Sequence, residues 1–216
     1  MNRLVPWAAA AVVLGVVAVA VVGWRLVAPD RGQYEEPGYV VEASHPGFEV
    51  RAYAPTLEAR VTLAGTRKEA TREGFQVLAG YIFGGNTARA GIDMTTPVSA
   101  APASQTIDMT TPVSAAPVGD GWTVAFTMPS AWTLATLPAP DDDRVELVEV
   151  PGGRAAVRTF PGRVSEAAFQ AEVAALHAAM LEVGLLAGGP AALAQFDPPW
   201  VLGPWRRNEV QVPLKS

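Results

Sequence analysis

The sequence predicts an α+β fold: a pseudo-two-fold duplicated strand–strand–helix–strand unit that forms a distorted, mainly antiparallel β-barrel or sheet with two helices, preceded by one transmembrane helix. Three observations predict it. Leu4 to Trp24 is a run of 21 residues without a charge. Two stretches far apart in the chain, Val41–Tyr53 and Val148–Phe160, agree in length and in the placing of Val-Glu, Val-Arg and a final aromatic. Each is followed by a segment with helical periodicity.

The uncharged run comes first. At about 1.5 Å per residue it covers roughly the 30 Å hydrocarbon core of a bilayer. A secretory leader has a shorter apolar region, about 7–15 residues. Ala18 and Ala20 would admit cleavage, but the length favours an uncleaved anchor over residues 1–27, with Trp7 and Trp24 at its interfaces. Arg3 before the span and Arg25 and Arg31 after it leave the positive-inside count nearly balanced. The expected layout is a single-pass cell-membrane protein with its soluble domain on the periplasmic or extracellular side. "APDRGQYEEPG", residues 28–38, reads as a polar linker, and residues 39–216 as one domain.

Within that domain, "VEASHPGFEVRAY" and "VEVPGGRAAVRTF" each read as strand, turn at Pro or Gly, and strand. The first helix is expected over about Thr66–Phe83. Thr66 is its N-cap, Phe75, Leu78 and Ile82 share a face, and Gly84-Gly85-Asn86 stops it. The second is expected over about Ser165–Leu186, with Ser165 as cap and Phe169, Val173, Leu176, Met180 and Val183 as its stripe. Gly121–Pro129 and Asn208–Leu214 supply further strands.

The stretch "IDMTTPVSAAP" occurs twice, at Ile92–Pro102 and again at Ile107–Pro117. Two copies do not make a solenoid. Alternation puts Ile92, Met94, Thr96 and Val98 on one face, and Ile107, Met109, Thr111 and Val113 likewise, so the pair reads as an antiparallel hairpin across a Ser/Ala/Pro loop. Pro97 and Pro112 remove ladder donors and place the strand ends at an edge or bulge.

Composition excludes several functions. The formal net charge is −5, and every residue before Pro29 that carries a charge is an arginine, so the domain is more acidic still. That argues against a nucleic-acid surface. There is no cysteine, hence no disulfide framework, thiolate metal site or Cys nucleophile. No phosphate loop, HExxH pair or GxSxG elbow occurs, and the three carboxylates of "APDDDR" lack the alternate spacing of a calcium loop. An enzyme is not expected.

The segments "EGFQVLAGYIFGGN", "IDMTTPV", "WTVAFTMPSAWTLATLPAPDDDRVELVEVP", "RTFPGRVSEAAF" and "DPPWVLGPWRRNEVQVP" resemble, in that order, the successive motifs of the SOUL haem-binding family, from about Tyr39 to Leu214. The resemblance implies a pseudo-symmetric distorted barrel with two helices and a role in binding haem or another porphyrin non-covalently. Its hydrophobic groove would lie beside the first helix. There Phe75, Leu78 and Tyr81 are the ring-facing candidates and Arg72, one turn earlier, the propionate partner. Trp200, Trp205, Arg206, Arg207 and Glu209 look like the family's closing clasp, with Trp covering the core and charges pairing nearby.

Haem also takes an axial His, Met, Tyr or Cys. His177, at the flank of the second helix's stripe, is the first metal-ligand candidate, and His45, in the "SHPG" turn, the second. Met94 and Met109, one per copy, offer a thioether pair, though an inward Met on a strand also serves as core filler. The expected function is reversible tetrapyrrole binding by a membrane-tethered carrier, buffer or sensor. The alternative is a general small-ligand, effector or protein-interaction module, since fold alone does not fix function.

Overall fold

The computed structural model describes residues 34–88 and 104–215. The uncharged run Leu4–Trp24, the first part of the linker, Met94 and the first "IDMTTPVSAAP" copy lie outside them. No helix among the described residues is long and apolar enough to cross a membrane.

The chain forms a curled, antiparallel half-barrel with two helices on one face. Its strands are β1 (Tyr39–His45), β2 (Phe48–Tyr53), β3 (Thr56–Ala64), β4 (Asn86–Thr87), β5 (Val113–Val118), β6 (Gly121–Thr127), β7 (Ala139–Pro140), β8 (Glu146–Val150), β9 (Gly153–Phe160), β10 (Ala192–Gln195) and β11 (Asn208–Pro213). Helix α1 (Arg67–Ile82) follows β3 and α2 (Glu166–Glu182) follows β9. Nine strands make the main sheet in the order β1-β2-β9-β11-β10-β5-β6-β3-β8, and β4 pairs with β7 apart from it.

This order places the internal repeat. Read outward from the β10–β5 pair, β10-β11-β9 on one side matches β5-β6-β3 on the other, with α2 and α1 as the connections. The unit is therefore strand–strand–helix–strand–strand: β2-β3-α1-β5-β6 and β8-β9-α2-β10-β11. This corrects the expected four-element unit and the expected alignment. By position β9 answers to β3, not to β2, and β8 and β9 do not form a hairpin. β8 pairs with β3 while β9 lies between β2 and β11, so each half lends a strand to the other. Sequence likeness alone misses this, because alternation marks a strand but not its neighbour.

Both helix starts are as the sequence indicates. The Thr66 side chain accepts from the Glu69 amide and the Glu69 carboxylate accepts from the Thr66 amide, a full capping box. Ser165 accepts from the Ala168 amide at 3.1 Å. Each helix ends at a glycine with positive φ nearby, Gly84 at 113° and Gly184 at 74°, so α2 stops before the expected Leu186. Gly74 lets α1 approach the sheet, since a Cβ there would lie 2.7 Å from Val124 Cβ.

Two cores result. Leu78, Tyr81 and Ile82 of α1 join Ala59, Val61, Val124, Phe126 and Ile107, while Phe169, Leu176 and Met180 of α2 join Phe48, Val50, Leu193, Val210 and Val212. Trp122 packs against both clusters. The second "IDMTTPVSAAP" copy departs from the expected strand. Ile107 is buried with its amide on Ile82 O at 2.8 Å, and the strand β5 begins only at Val113, after Pro112. Its first residues wrap the end of α1, so they bury Ile107 by packing on a helix and not by pairing in a ladder.

Candidate ligand-binding faces

The two faces of the sheet have opposite chemistry. On each central strand the residues that enter the cores alternate with residues that open onto a hollow of about 550 Å³ on the helix-free side. Val50 goes inward where Arg51 and Tyr53 face the hollow. Ala59 and Val61 alternate with Glu58 and Arg60, and Val210 and Val212 with Glu209 and Gln211.

The hollow's floor is a charged network around Glu209, which is fully buried. Arg51 Nη1 donates to both Glu209 oxygens at 3.1 Å, and Arg207 donates to Glu209 Oε1 from Nε at 3.1 Å and from Nη2 at 3.0 Å. Gln211 adds a third donor at 2.9 Å. Glu49 and Glu36 neutralise the outer sides of the two guanidiniums at 2.8 and 3.0 Å. Arg51 also lies over the Tyr39 ring and Arg207 over Phe196.

Burial works against charge on Arg51. The bond to Tyr53 and the carboxylates of Glu209 and Glu49 outweigh it and hold the guanidinium well above its usual value. Arg207 shows the same balance, with Glu209 and Glu36 outweighing burial. Burial raises Tyr53, and it raises Glu58, whose carboxyl is relieved only in part by Arg60. Composition gives no hint of this network, because Glu-x-Gln and Arg-x-Tyr on alternating strands read as a solvent-facing side. The order of the sheet is what encloses it.

The helix-bearing face holds the residues expected to bind a ring, and it divides them. Leu78 and Tyr81 are sealed in the first core, Tyr81 with its hydroxyl on Pro138 O at 2.9 Å. Met109 is half-buried against the same cluster. Phe75 is 39% exposed and meets Phe126, a member of that core, edge-on at 5.5 Å between centroids. Arg72 is exposed on the same helix. The stripe Arg72–Phe75–Ala79–Phe83 therefore runs along the outside of α1, with Leu78 and Tyr81 as the floor below it.

An open groove also follows α1, where Tyr81 and Val77 lie among mostly polar and charged groups, Arg72, Glu69, Glu73 and Asp141–Arg144 among them. There Arg144 grips Asp142 through side chain and amide and holds that carboxyl down at about 2. Its charge suits solvent better than an apolar ring.

His177 sits on α2, beside Leu176 and Met180 of the second core, and is half-buried. Among the described residues two buried side-chain polar atoms lack a hydrogen-bond partner: Nε2 of His177 on α2 and Oγ1 of Thr71, next to Arg72 on α1. A buried imidazole nitrogen without a partner leaves its bonding capacity unmet. His45 ends β1, where its ring stacks on Phe48 at 4.8 Å.

In the expected closing clasp, Arg207 and Glu209 pair as anticipated, but Trp200 does not cover the core. It is 79% exposed on the loop between β10 and β11. Val201 turns inward in its place, at 5% exposure.

A model of the SOUL heme-binding protein family matches residues 34–213, nearly all of the chain beyond the uncharged run and its linker. No curated protein sequence matches. Among solved structures, an uncharacterized conserved protein from Listeria innocua aligns at TM-score 0.54 and 16% identity, over 80% of this chain and 94% of its own. A hydrolase from the same organism aligns at 0.52 and 16%, over 81% and 94%. The EcmrR C-terminal domain aligns at 0.53 and 10%, over 78% and 97%. At these identities the likeness is one of fold.

Proposed function

This chain belongs to the SOUL heme-binding protein family, and we propose that it binds haem or a related tetrapyrrole reversibly on the helix-bearing face, as a membrane-tethered carrier, buffer or sensor and not as an enzyme. The observation that carries the proposal is the unpartnered, buried Nε2 of His177, which fits an axial iron ligand in a chain of this family. Bound haem would supply an iron centre with axial positions open to protein nitrogen. On α1, at the first core, the residues proposed to meet the ring are Phe75, half-exposed on Phe126, and Met109 on the same cluster, with Leu78 and Tyr81 in the layer beneath. Arg72, exposed and without an ion-pair partner among the described residues, suits a propionate. Met94, in the first copy of the doubled stretch, remains the proposed counterpart of Met109. His45 is the second candidate ligand. The uncharged run Leu4–Trp24 supplies the tether, and the domain is proposed to face the periplasm or the extracellular space.

The test is a titration of the protein with ferric haem and with iron-free protoporphyrin, followed by absorption and repeated with His177→Ala and His45→Ala. A ligand-type haem spectrum lost in His177→Ala supports the proposal, and absence of porphyrin binding at micromolar concentration removes it.

A second reading rests on the hollow of the opposite face. Its aromatic rims at Tyr39, Tyr53 and Phe196 around fixed charges suit a small amphiphilic effector. Equal binding of iron-free porphyrin and unrelated flat amphiphiles, insensitive to both histidine variants, would favour it.

A further inference from the structure

The loop between β10 and β11, Asp197–Arg206, displays apolar side chains that no other part of the described chain covers. Trp200 is 79% exposed and Leu202 50% exposed. A loop that merely frays would not be built as this one is. Arg206 donates from Nε to Val201 O at 2.8 Å and from Nη2 to Pro199 O, so one guanidinium cross-links the turn from within. The Arg207 amide donates to Asp197, which closes the base of the loop and turns that carboxylate inward. Val201 is buried, and the 3₁₀ turn Gly203–Trp205 stiffens the return. Trp200 and Leu202 are thus held outward on either side of an anchored residue.

Two observations indicate what covers them. Arg163, exposed and without a carboxylate partner among the described residues, runs beside Gly203, its Cγ 3.9 Å from the position a Cβ would occupy there. It sets a free cationic group beside the loop that carries the exposed tryptophan, the pairing found at the headgroup level of a bilayer. The second is where the chain leaves the described structure. Glu36 is tied to Arg207, at the foot of the loop, at 3.0 Å, and Glu35 bridges to Thr110 and accepts from the Ser130 amide at 2.9 Å. The N-terminal segment is therefore strapped to this same end of the sheet. Only 11 residues separate Glu36 from Trp24, the last of the uncharged run, a span of about 40 Å at full extension.

We infer that the Asp197–Arg206 loop docks on the surface of the lipid bilayer that holds the N-terminal anchor, with Trp200 and Leu202 entering the interface and Arg163 meeting lipid phosphates. The inference rests on the reading of Leu4–Trp24 as an anchor. Docking fixes the domain's orientation as the tether alone cannot, and turns the strap end of the sheet toward the bilayer. A lipophilic ring could then pass between lipid and protein without crossing water.

The chain lacks cysteine, so single labels can be placed at will. The full-length protein carrying Leu202→Cys is labelled with a fluorophore and reconstituted in phosphatidylcholine vesicles, with and without phosphatidylglycerol, containing nitroxide-bearing lipid. Val118→Cys, the last residue of β5 at the end opposite the loop, is the reference. Strong quenching at position 202 and little at 118 is expected, increased by phosphatidylglycerol and largely lost when Trp200→Ser is added. Equal quenching at the two positions in protein that floats with vesicles overturns loop docking and leaves the anchor standing. Protein that does not float with vesicles overturns both.

Discussion

The same nine strands present two unlike surfaces. On the helix-bearing side Val124, Phe126, Val210 and Val212 meet α1 and α2 in two apolar cores. On the other side, one residue along each strand, Glu209 lies fully buried between Arg51 and Arg207. The difference teaches how a duplicated sheet divides its work. The apolar side is forgiving of position, because hydrophobic burial is non-directional. The polar side holds only if every donor meets its acceptor, because a buried charge that loses its partner costs far more than the pair contributes.

That contrast predicts an order of damage. Glu209→Ala leaves two arginines facing each other across a buried gap and should cost about 3–5 kcal/mol by urea unfolding. A loss below about 1 kcal/mol would mean that water already reaches the network. Leu78→Ala, at the centre of the first core, should cost about 2–4 kcal/mol through lost burial and a cavity. Gly74→Ala tests the same core from the opposite direction, by driving a methyl into Val124, and should cost about 1–3 kcal/mol.

Glu58→Gln should do the reverse and stabilise the fold at neutral pH. Burial raises the Glu58 carboxyl above its usual 4.5, so the native state prefers it protonated. The stability linked to that proton is complete below the unfolded value and is lost as pH rises through the folded one. The glutamine's advantage in thermal unfolding should therefore be present at pH 7 and fade below about pH 4.5. Last, Glu146→Gln breaks only the exposed pair with Arg60 and should stay within about 1 kcal/mol.

Much of the helix-bearing side was legible in the sequence. Thr66 and Ser165 announce the helix starts, Gly84 the first stop, and Leu78, Ile82, Phe169, Leu176 and Met180 the buried stripes. These are local signals within a turn or two of chain. Phe75 shares the spacing of Leu78 and Ile82 yet lies at the edge of the stripe, where a rotation of one residue decides between core and solvent. The doubled stretch misled for a related reason. Alternation in Ile107–Val113 fits a strand, but Ile107 buries itself on the end of α1, a contact that period alone does not reveal. The hollow was not legible at all. A strand with polar residues at every second position looks the same whether that side faces water or a closed curve, and only the sheet order brings Arg51 to Glu209 across 158 positions. The clasp motif implies a Trp that covers the core, yet Trp200 is exposed, because the loop turns Val201 inward in its place.

The central claim is that a tetrapyrrole occupies the helix-bearing face and that the charged hollow is not its site. The most direct test titrates ferric haem into the wild type, a Phe75→Ser/Arg72→Gln variant that strips the outside of α1, and an Ala116→Phe variant that fills the hollow. The account predicts weakened binding in the first variant and unchanged binding in the second. Haem affinity lost on filling the hollow, and untouched by the changes on α1, would contradict it.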